Sequence, residues 1–284
     1  MNGIGIHLLE ERSYTPVTIG ADPEFLLWRR AGRRDFIHAR DVLREVTVRG
    51  VGNFGLDGHS STGELRPNHN EDPLVVVENC RKLITKLRQH LIDGGHPTFM
   101  TAGSGRGTEP CGGHIHIGHE MFLRGINAKV RECASRFDKF LGLPLALISE
   151  NTTFQNRVVA NNYGQLGQVD DRGVRSQTWG FEYRTPPSWL HSQEMAAACL
   201  CIAKVVAEDY ILADRKLNNN LPLQIDPIVA DILGVQMQVL RERLYSQRHD
   251  HLRTLVMRYK DELTQADLYS TYQTQIQWSI GQLE

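Results

Sequence analysis

The sequence lacks the features that mark disulfide-stapled, membrane-spanning and secreted proteins. It has five cysteines, an odd number without a CxxC pair, which argues against a disulfide framework. Its hydrophobic runs are much shorter than the roughly 20 residues that span a bilayer. The N-terminal segment reaches Glu10 and Glu11 without the apolar core of a secretory signal. We therefore expect a reduced, cytoplasmic protein with no membrane partner.

The chain also lacks an excess of charge of either sign. It contains 32 lysine and arginine residues against 33 aspartate and glutamate residues. A protein that binds nucleic acid through its phosphates usually carries a basic excess. General nucleic-acid binding is therefore not expected. With 40% hydrophobic residues, the chain of 284 residues can form a substantial core.

Strand-like segments occupy the first two-thirds of the chain, and helix-like segments occupy the last third. Because strands precede helices with little alternation, this order predicts an α+β fold with a largely antiparallel sheet. No linker divides the chain, so residues 1–284 are interpreted as one catalytic domain with a sheet-based core over 1–190 and a helical part over 191–284. The predicted strands cover residues 18–28, 35–39, 62–66, 98–102, 114–118 and 180–185.

Helical periodicity marks several segments. One helix is predicted to begin at Asp72-Pro73 and to end at Gly94-Gly95, and a second begins after Asn127. Three more helical runs cover residues 192–212, 228–245 and 252–268, the first of them capped by Ser192. The predicted buried stripes are Leu74, Val77, Cys80, Ile84, Leu87 and Leu91 in the first helix, and Val130, Ala134, Phe137 and Leu141 in the second.

Four predicted strands share a pattern in which two ionisable residues at positions i and i+2 are flanked by apolar residues. A strand directs positions i and i+2 to the same face. In HIHI the isoleucines take the opposite face, so the ionisable face is not simply the solvent side of a sheet. Side by side, the four strands would form a concave surface. The pairs are Asp22 and Glu24, Glu64 and Arg66, His114 and His116, and Glu182 and Arg184.

Such a surface predicts a metal site. Carboxylates that converge repel each other, and a divalent cation relieves that repulsion. Hard oxygen ligands with an imidazole suit Mg²⁺ or Mn²⁺. Arginines in the same cleft indicate that metal and protein together hold an anion such as a polyphosphate.

Each pair alone has a simpler interpretation. Glu-x-Arg on a strand is most often a solvated cross-strand ion pair, and Asp22-Pro23-Glu24 could form a turn. Two histidines on one strand beside Gly-Gly are less typical of a protein surface. The occurrence of all four pairs in one chain is what favours a functional site.

A long polar connection covers residues 152–178. It contains several glycines and the arginines Arg157, Arg172 and Arg175. Ordered chains rarely keep so long a segment without secondary structure unless it covers a site. We therefore expect this connection to lie over the ionisable surface.

The order GADPEF, DG…GELRP, GGHIHIG and GFEYRTPPSW resembles the carboxylate–amine ligases of the glutamine synthetase and glutamate–cysteine ligase superfamily, and within it the phage phiEco32-like COOH–NH2 ligases. The resemblance covers residues 17–190. It implies a curved antiparallel sheet of the glutamine synthetase type, with helices on the convex face. It also implies ATP and Mg²⁺ (or Mn²⁺) as cofactors, and the host cytoplasm as location if a phage encodes the protein.

The same resemblance implies a reaction. A substrate carboxylate attacks the γ-phosphate of ATP, and an amine then displaces phosphate from the acyl phosphate to form an amide. The expected partners are a small-molecule or peptide carboxylate and an amine, and relatives often form oligomers. Because an acyl phosphate hydrolyses when water enters, the 152–178 connection is the expected lid.

Individual roles also follow from the resemblance. Arg184 is similar to an arginine that contacts the reacting carboxylate or phosphate, and His116 lines the site, so these two are the expected catalytic residues. Arg157, Arg172, Arg175 and His114 are the expected contacts of the ATP phosphates. The expected metal ligands are Asp22, Glu24, Glu64, His114 and Glu182, with Asp57 as a further partner of Glu64.

Two other functions share some of these features. The segment HIHIGHE, with His114, His116 and Glu120, imitates the two-histidine, one-carboxylate motif of an Fe(II) oxygenase of the cupin type. Against it stand the extensive helices, because cupins are nearly all-β. The second alternative is a non-enzymatic, metal-stabilised binding module, which would leave the arginine-bearing connection without a purpose.

Overall fold

The computed structural model describes residues 15–29, 35–44, 52–58, 61–96, 99–101, 110–122, 126–148, 157, 163–171 and 180–216. The strands are β1 (Thr18–Trp28), β2 (Phe36–Ile37), β3 (Asn53–Leu56), β4 (Gly63–Arg66), β5 (Phe99–Thr101), β6 (Gly113–Gly118), β7 (Val169–Asp170) and β8 (Gly180–Tyr183). The helices are α1 (Ala39–Leu43), α2 (Pro73–Asp93), α3 (Ala128–Phe137), α4 (Leu143–Ile148) and α5 (Gln193–Lys216). A 3₁₀ turn covers Glu120–Phe122, and a π-helical turn at Asp138–Gly142 joins α3 to α4.

The longest of these strands, β1, lies at the centre of an open sheet whose pairings are all antiparallel. The order is β3-β4-β1-β6-β8-β7, with β2 and β5 paired to the end of β1. Pro23 lies opposite Gly113 at the last residue of the β1–β6 ladder, and β1 continues through it. The turn interpretation of Asp22-Pro23-Glu24 is therefore wrong, and the predicted antiparallel α+β architecture is confirmed for the described residues.

The helices cover one face of the sheet. Ile19 and Ala21 of β1 lie opposite Ile117 and Ile115 of β6, and all four side chains are fully buried in the core. That core also contains buried residues of α2, α3 and α5. The two isoleucines of HIHI thus face helices, as the alternation predicts. The other face of the same strands is left for the ionisable residues.

The helix boundaries follow the signals in the sequence. The Asp72 carboxylate accepts a hydrogen bond from Leu74 N at 2.9 Å and caps α2, and Gly94 ends it. Val77, Cys80, Leu87 and Leu91 are buried as predicted. The buried face of α2 is nevertheless rotated slightly from the predicted face. Val76 and Leu83 are buried, whereas Leu74 and Ile84 are only partly buried, because neighbouring positions of a helix share the edge of one apolar face.

A buried ion pair within α5 makes hydrogen bonds to the residue that precedes β1. Lys204 Nζ lies 2.7 Å from Glu208 Oε1 and donates a hydrogen bond to Val17 O, while Val17 N donates to Glu208 Oε1 at 3.1 Å. Burial lowers the pKa of Lys204 to about 8. These contacts hold β1 against the helices before the strand reaches its ionisable residues.

Some boundaries differ from the predictions. The strand predicted over 35–39 is only Phe36–Ile37, because Ala39 already begins α1 after the extended residue His38. The sequence pattern did not predict β3 or β7, which have four and two residues. The runs at 228–245 and 252–268 lie outside the described residues. None of the described helices is long and apolar enough to cross a membrane.

The side chains of all five cysteines are buried. Cys80, Cys199 and Cys201 pack in the helix-covered core. Burial raises the pKa of Cys80 and Cys201 to about 12, so these thiols serve as small apolar side chains.

Candidate active site on the ionisable face

Strand register brings the four predicted pairs onto one face of the sheet. Asp22 lies opposite His114, His116 lies opposite Glu182, and Glu24 lies opposite Glu64. Directly opposed residues of antiparallel strands point to the same side. The described structure therefore assembles carboxylates and imidazoles that are up to 160 residues apart in sequence, as Asp22 and Glu182 are.

The two glycines before His114 give the strand its close packing. A Cβ at position 112 would overlap the His114 ring, and one at position 113 would overlap Pro187 O and the Trp189 ring. Gly112 N also donates a hydrogen bond to Glu24 Oε2 at 2.5 Å. The Gly-Gly pair thus lets β6 bring its histidines close to β1.

Asp22, His114, His116 and Glu182 form a buried cluster. His114 Nδ1 lies 3.1 Å from Asp22 Oδ1 and 3.0 Å from Glu182 Oε1. His116 Nε2 lies 3.1 Å from Asp22 Oδ2. No residue of the cluster is more than 6% exposed, so these charges act on each other through little solvent.

Burial and charge act in opposite directions on the pKa values of the cluster. Burial raises the pKa of Asp22, but attraction by His116 and His114 outweighs it and holds that pKa well below its usual range. Burial lowers the pKa of His114, yet Asp22, Glu24 and Glu182 around the ring raise it to about 9. At neutral pH the His114 imidazolium therefore offsets the charge of the surrounding carboxylates.

The remaining carboxylates respond mainly to burial. Burial raises the pKa of Glu24 to about 7 against the attraction of His114, and the negative charge of Asp57 raises it further. Burial also raises the pKa of Glu182, again against His114. Such raised pKa values are typical of carboxylic acids that are buried near other carboxylates.

Three residues of the cluster lie close enough together that they could hold a metal ion. One ligand atom each from Asp22, His116 and Glu182 lies within 4.8 Å of the other two, and all three residues are buried. Two carboxylates with one imidazole form a donor set that fits Mg²⁺ or, better, Mn²⁺. His116, expected to line the site, belongs to this group, whereas the Nδ1 atom of His114 faces both carboxylates instead.

Glu64 lies beside this group with a different partner. Its Oε1 is 2.5 Å from Arg66 Nε, and both side chains are less than 10% exposed. Arg66 also donates a hydrogen bond to Leu56 O at 2.6 Å. The Glu64–Arg66 pair is therefore not the solvated surface ion pair of the simpler interpretation. The Arg66 guanidinium offsets the negative charge of Glu64, which lies opposite Glu24.

Arg184 lies at the edge of the cluster, and its side chain is 25% exposed. Its guanidinium contacts Glu182 Oε1 at 3.2 Å through Nε and Asp170 Oδ2 at 3.4 Å through Nη1. Its Nη2 donates a hydrogen bond to the Tyr163 hydroxyl at 2.9 Å. Arg184 is thus held at three points and keeps a partly open side.

The connection over residues 152–178 is described at residue 157 and over 163–171. The described part is not a plain loop, because it contains β7, which pairs with β8, and Arg184 N donates a hydrogen bond to Gln168 O at 2.9 Å. Arg157 is 1% exposed and donates a hydrogen bond to Arg184 O at 3.0 Å. Arg172 and Arg175 lie outside the described residues.

Sequence reasoning missed Tyr163, which touches the cluster directly. Its hydroxyl contacts His114 Nε2 and donates a hydrogen bond to Glu24 Oε1 at 3.3 Å. The only signal for it in the sequence is an aromatic residue next to a glycine in an otherwise polar segment, NNYGQ.

Comparison with known proteins identifies a matching family. The sequence model of the phage phiEco32-like COOH.NH2 ligase-type 2 family matches residues 19–284. No curated protein sequence matches the chain.

Two solved structures are similar to the chain at low identity. Plasmodium falciparum glutamine synthetase has a TM-score of 0.43 and 11% identity over 73% of this chain, which spans 53% of that enzyme's length. A glutamine synthase homologue has a TM-score of 0.42 and 13% identity over 92% of this chain and 71% of its own. The family match, which extends over most of the chain, is the finding that bears on function.

Proposed function

The chain belongs to the phage phiEco32-like COOH–NH2 ligase type 2 family, and we propose that it joins a carboxylate to an amine with ATP and a divalent cation through an acyl phosphate. The observation that carries this proposal is the buried cluster of Asp22, His114, His116 and Glu182 with Arg184 at its edge. A fold that only needed stability would not concentrate carboxylates in its interior, because burying charge is costly.

The cation would be held by Asp22, His116 and Glu182, whose ligand atoms already lie close together. When bound, Mg²⁺ or Mn²⁺ would neutralise negative charge on the phosphoryl oxygens and so favour transfer. Glu24, Glu64 and His114 are proposed as further cation ligands on the same face, and His114 would have to lose its proton when the cation binds. The raised pKa of Glu24 reflects burial of a carboxyl group beside other carboxylates and supports this assignment.

The arginines are proposed to contact the transferred group. Arg184 can direct its exposed side toward a carboxylate or phosphate oxygen while Glu182 and Asp170 hold its other side. Arg157 Nη1 is buried and has no hydrogen-bond acceptor among the described residues, which supports a contact with a phosphate oxygen. Arg172 and Arg175 are proposed as further phosphate contacts, and the 152–178 connection as the element that excludes water.

The cupin alternative is less well supported. Glu120, its carboxylate, is exposed at the start of a 3₁₀ turn, whereas His114 and His116 face the buried cluster. The long helices α2 and α5 and the open sheet also differ from a cupin barrel. The binding-module alternative gives no role to an arginine fixed at three points beside the cluster.

The reaction products test the proposal. With ATP, Mg²⁺ and a panel of acids and amines, we expect ADP and phosphate rather than AMP and pyrophosphate, because the carboxylate attacks the γ-phosphate. A carboxylate labelled with ¹⁸O should transfer one ¹⁸O to the released phosphate, since the carboxylate oxygen leaves with it. Mass spectrometry measures both products and label.

The alternatives predict different results. AMP and pyrophosphate would indicate an acyl adenylate, and unlabelled phosphate would indicate simple ATP hydrolysis. Oxygen consumption with Fe(II) and no nucleotide turnover would favour the oxygenase, and metal binding without any turnover would favour the binding module.

A further inference from the structure

We propose that Tyr163 is a positioning residue of the ligase reaction, whose hydroxyl group fixes the guanidinium of Arg184 beside the carboxylate cluster. The inference rests on the proposed function, and it adds a residue that neither the sequence motifs nor the family resemblance indicates. Tyr163 is the first residue of a segment, residues 163–170, that we call the strap. The strap lies along β8 and ends in β7.

The hydroxyl group of Tyr163 joins three charged groups of the site. It accepts a hydrogen bond from Arg184 Nη2 at 2.9 Å, donates one to Glu24 Oε1 at 3.3 Å and contacts His114 Nε2. These partners belong to β1, β6 and the residue that follows β8. One phenol oxygen therefore connects three separate parts of the cluster.

The ring of Tyr163 also contacts two guanidinium groups. The Arg157 Cζ atom is 4.6 Å and the Arg184 Cζ atom 5.0 Å from the ring centroid, distances typical of cation–π contacts. The His114 ring meets it edge-on, with centroids 5.7 Å apart. The ring thus provides a flat surface for the Arg184 guanidinium, while the hydroxyl group fixes the direction of its Nη2 atom.

The hydroxyl completes the set of contacts that orient Arg184. Glu182 Oε1 lies 3.2 Å from Nε as a charge partner, Asp170 Oδ2 lies 3.4 Å from Nη1, and the Tyr163 hydroxyl accepts a hydrogen bond from Nη2 at 2.9 Å. Nε has no hydrogen-bond partner among the described residues, and the hydrogen bond to Tyr163 is the shortest of the three contacts, so loss of the hydroxyl would let the guanidinium tilt. A tilt of about 1 Å at a charged group can reduce catalysis roughly 100-fold.

The strap is held firmly enough to position a side chain. Tyr163 N donates a hydrogen bond to Arg157 O at 2.8 Å, Gly167 N donates to Asp138 Oδ1 at 2.9 Å, and Thr185 Oγ1 donates to Gln165 O at 2.6 Å. Gly164 has φ +72°, and a Cβ there would overlap the Arg157 guanidinium. Glycine is therefore required directly after Tyr163.

The variant Tyr163→Phe tests the proposal, because it keeps the ring and removes only the hydroxyl. Tyr210→Phe is the matched control. Tyr210 is buried, its hydroxyl donates a hydrogen bond to Glu132 at 2.9 Å, and it packs against Phe122 on the helix-covered face. Both variants remove a hydroxyl group that makes partly buried hydrogen bonds, but only Tyr163→Phe releases Arg184.

We expect Tyr163→Phe to lower kcat for phosphate release by about 10- to 100-fold, with KM for ATP changed by less than about threefold. Both variants should melt within a few degrees of the wild type. In ¹⁵N-arginine spectra, the Arg184 Nε–Hε signal, assigned with Arg184→Lys, should shift or broaden in Tyr163→Phe and stay unchanged in Tyr210→Phe. A purely structural role would not produce this selective change.

An unchanged kcat together with an unchanged Arg184 signal in Tyr163→Phe would overturn the proposal. So would an equal loss of kcat in Tyr210→Phe, because the effect would then belong to stability. The proposed function fails separately, if the wild type releases no phosphate with any acid and amine. In that case the Arg184 signal still decides whether Tyr163 orients the guanidinium.

Discussion

Replacing Glu182 by Gln should lower the proposed nucleotide-dependent phosphate release by about three orders of magnitude, equivalent to about 4 kcal/mol of transition-state stabilisation. Glutamine keeps the volume but removes the charge that contacts His114 and Arg184. It also removes an anionic oxygen from the group formed with Asp22 and His116. We expect the affinity for Mn²⁺, measured by electron paramagnetic resonance, to fall together with the activity, because one cause produces both losses.

The matched control is Glu78→Gln, which makes the same substitution in α2. Glu78 forms its ion pair with Arg81 on the outer side of that helix, so activity and Mn²⁺ affinity should equal those of the wild type. Both variants should keep the melting temperature within a few degrees. A Glu182→Gln protein that binds Mn²⁺ and turns over like the wild type would show that Glu182 is not a ligand.

Replacing Asp138 by Asn removes a pH dependence of stability that the wild type should show. Asp138 is 1% exposed and accepts hydrogen bonds from Gly167 N and from the Tyr183 hydroxyl at 2.9 and 2.7 Å. Burial raises its pKa to about 7 against these hydrogen bonds, so the folded protein favours the neutral acid. Asparagine keeps the accepting oxygen and carries no charge at any pH.

The direction of this pH dependence follows from the linkage between proton binding and folding. A carboxyl group with a raised folded pKa contributes its full stability below the ordinary pKa of 3.8 and loses it as the pH rises to about 7. The unfolding free energy of Asp138→Asn minus that of the wild type should therefore increase between about pH 4 and 7 and then stay level. At 1.36 kcal/mol for each pKa unit, the increase is on the order of 4 kcal/mol.

Urea unfolding of both proteins at several pH values measures this difference directly. Asp93→Asn, the same substitution at an exposed position at the end of α2, is the control and should follow the wild-type curve. A difference between Asp138→Asn and the wild type that stays constant from pH 4 to 8 would contradict a raised pKa. It would indicate that the carboxylate is stabilised by its hydrogen bonds at neutral pH.

The candidate site was largely predictable because its residues lie on strands. The spacing i, i+2 predicts that His114 and His116 share a face, and the flanking isoleucines predict which face is covered by helices. Only the register could show that Asp22 lies opposite His114 and Glu182 opposite His116. Sequence spacing carries no information on how separate strands align, because turns and packing determine register.

Residues outside regular strands were not predictable in the same way. Tyr163 and Asp138 lie on the strap and at a π-helical turn, where no period connects neighbouring residues with a common face. Their partners, Arg184 for one and Gly167 for the other, are more than 20 residues away. Contacts of this kind depend on the path of the connecting segments in the folded chain, which no local sequence pattern encodes.

The sequence by itself therefore determined the antiparallel α+β class, the helix caps at Asp72 and Ser192, and which residues share the ionisable face. These features depend on local periodicity and on hydrogen bonds between near neighbours. Only the tertiary structure showed that His116 lies in one group with Asp22 and Glu182, and that a tyrosine hydroxyl accepts a hydrogen bond from Arg184. Two histidines on one strand face are equivalent in sequence, and they become different only when neighbouring strands supply unequal partners.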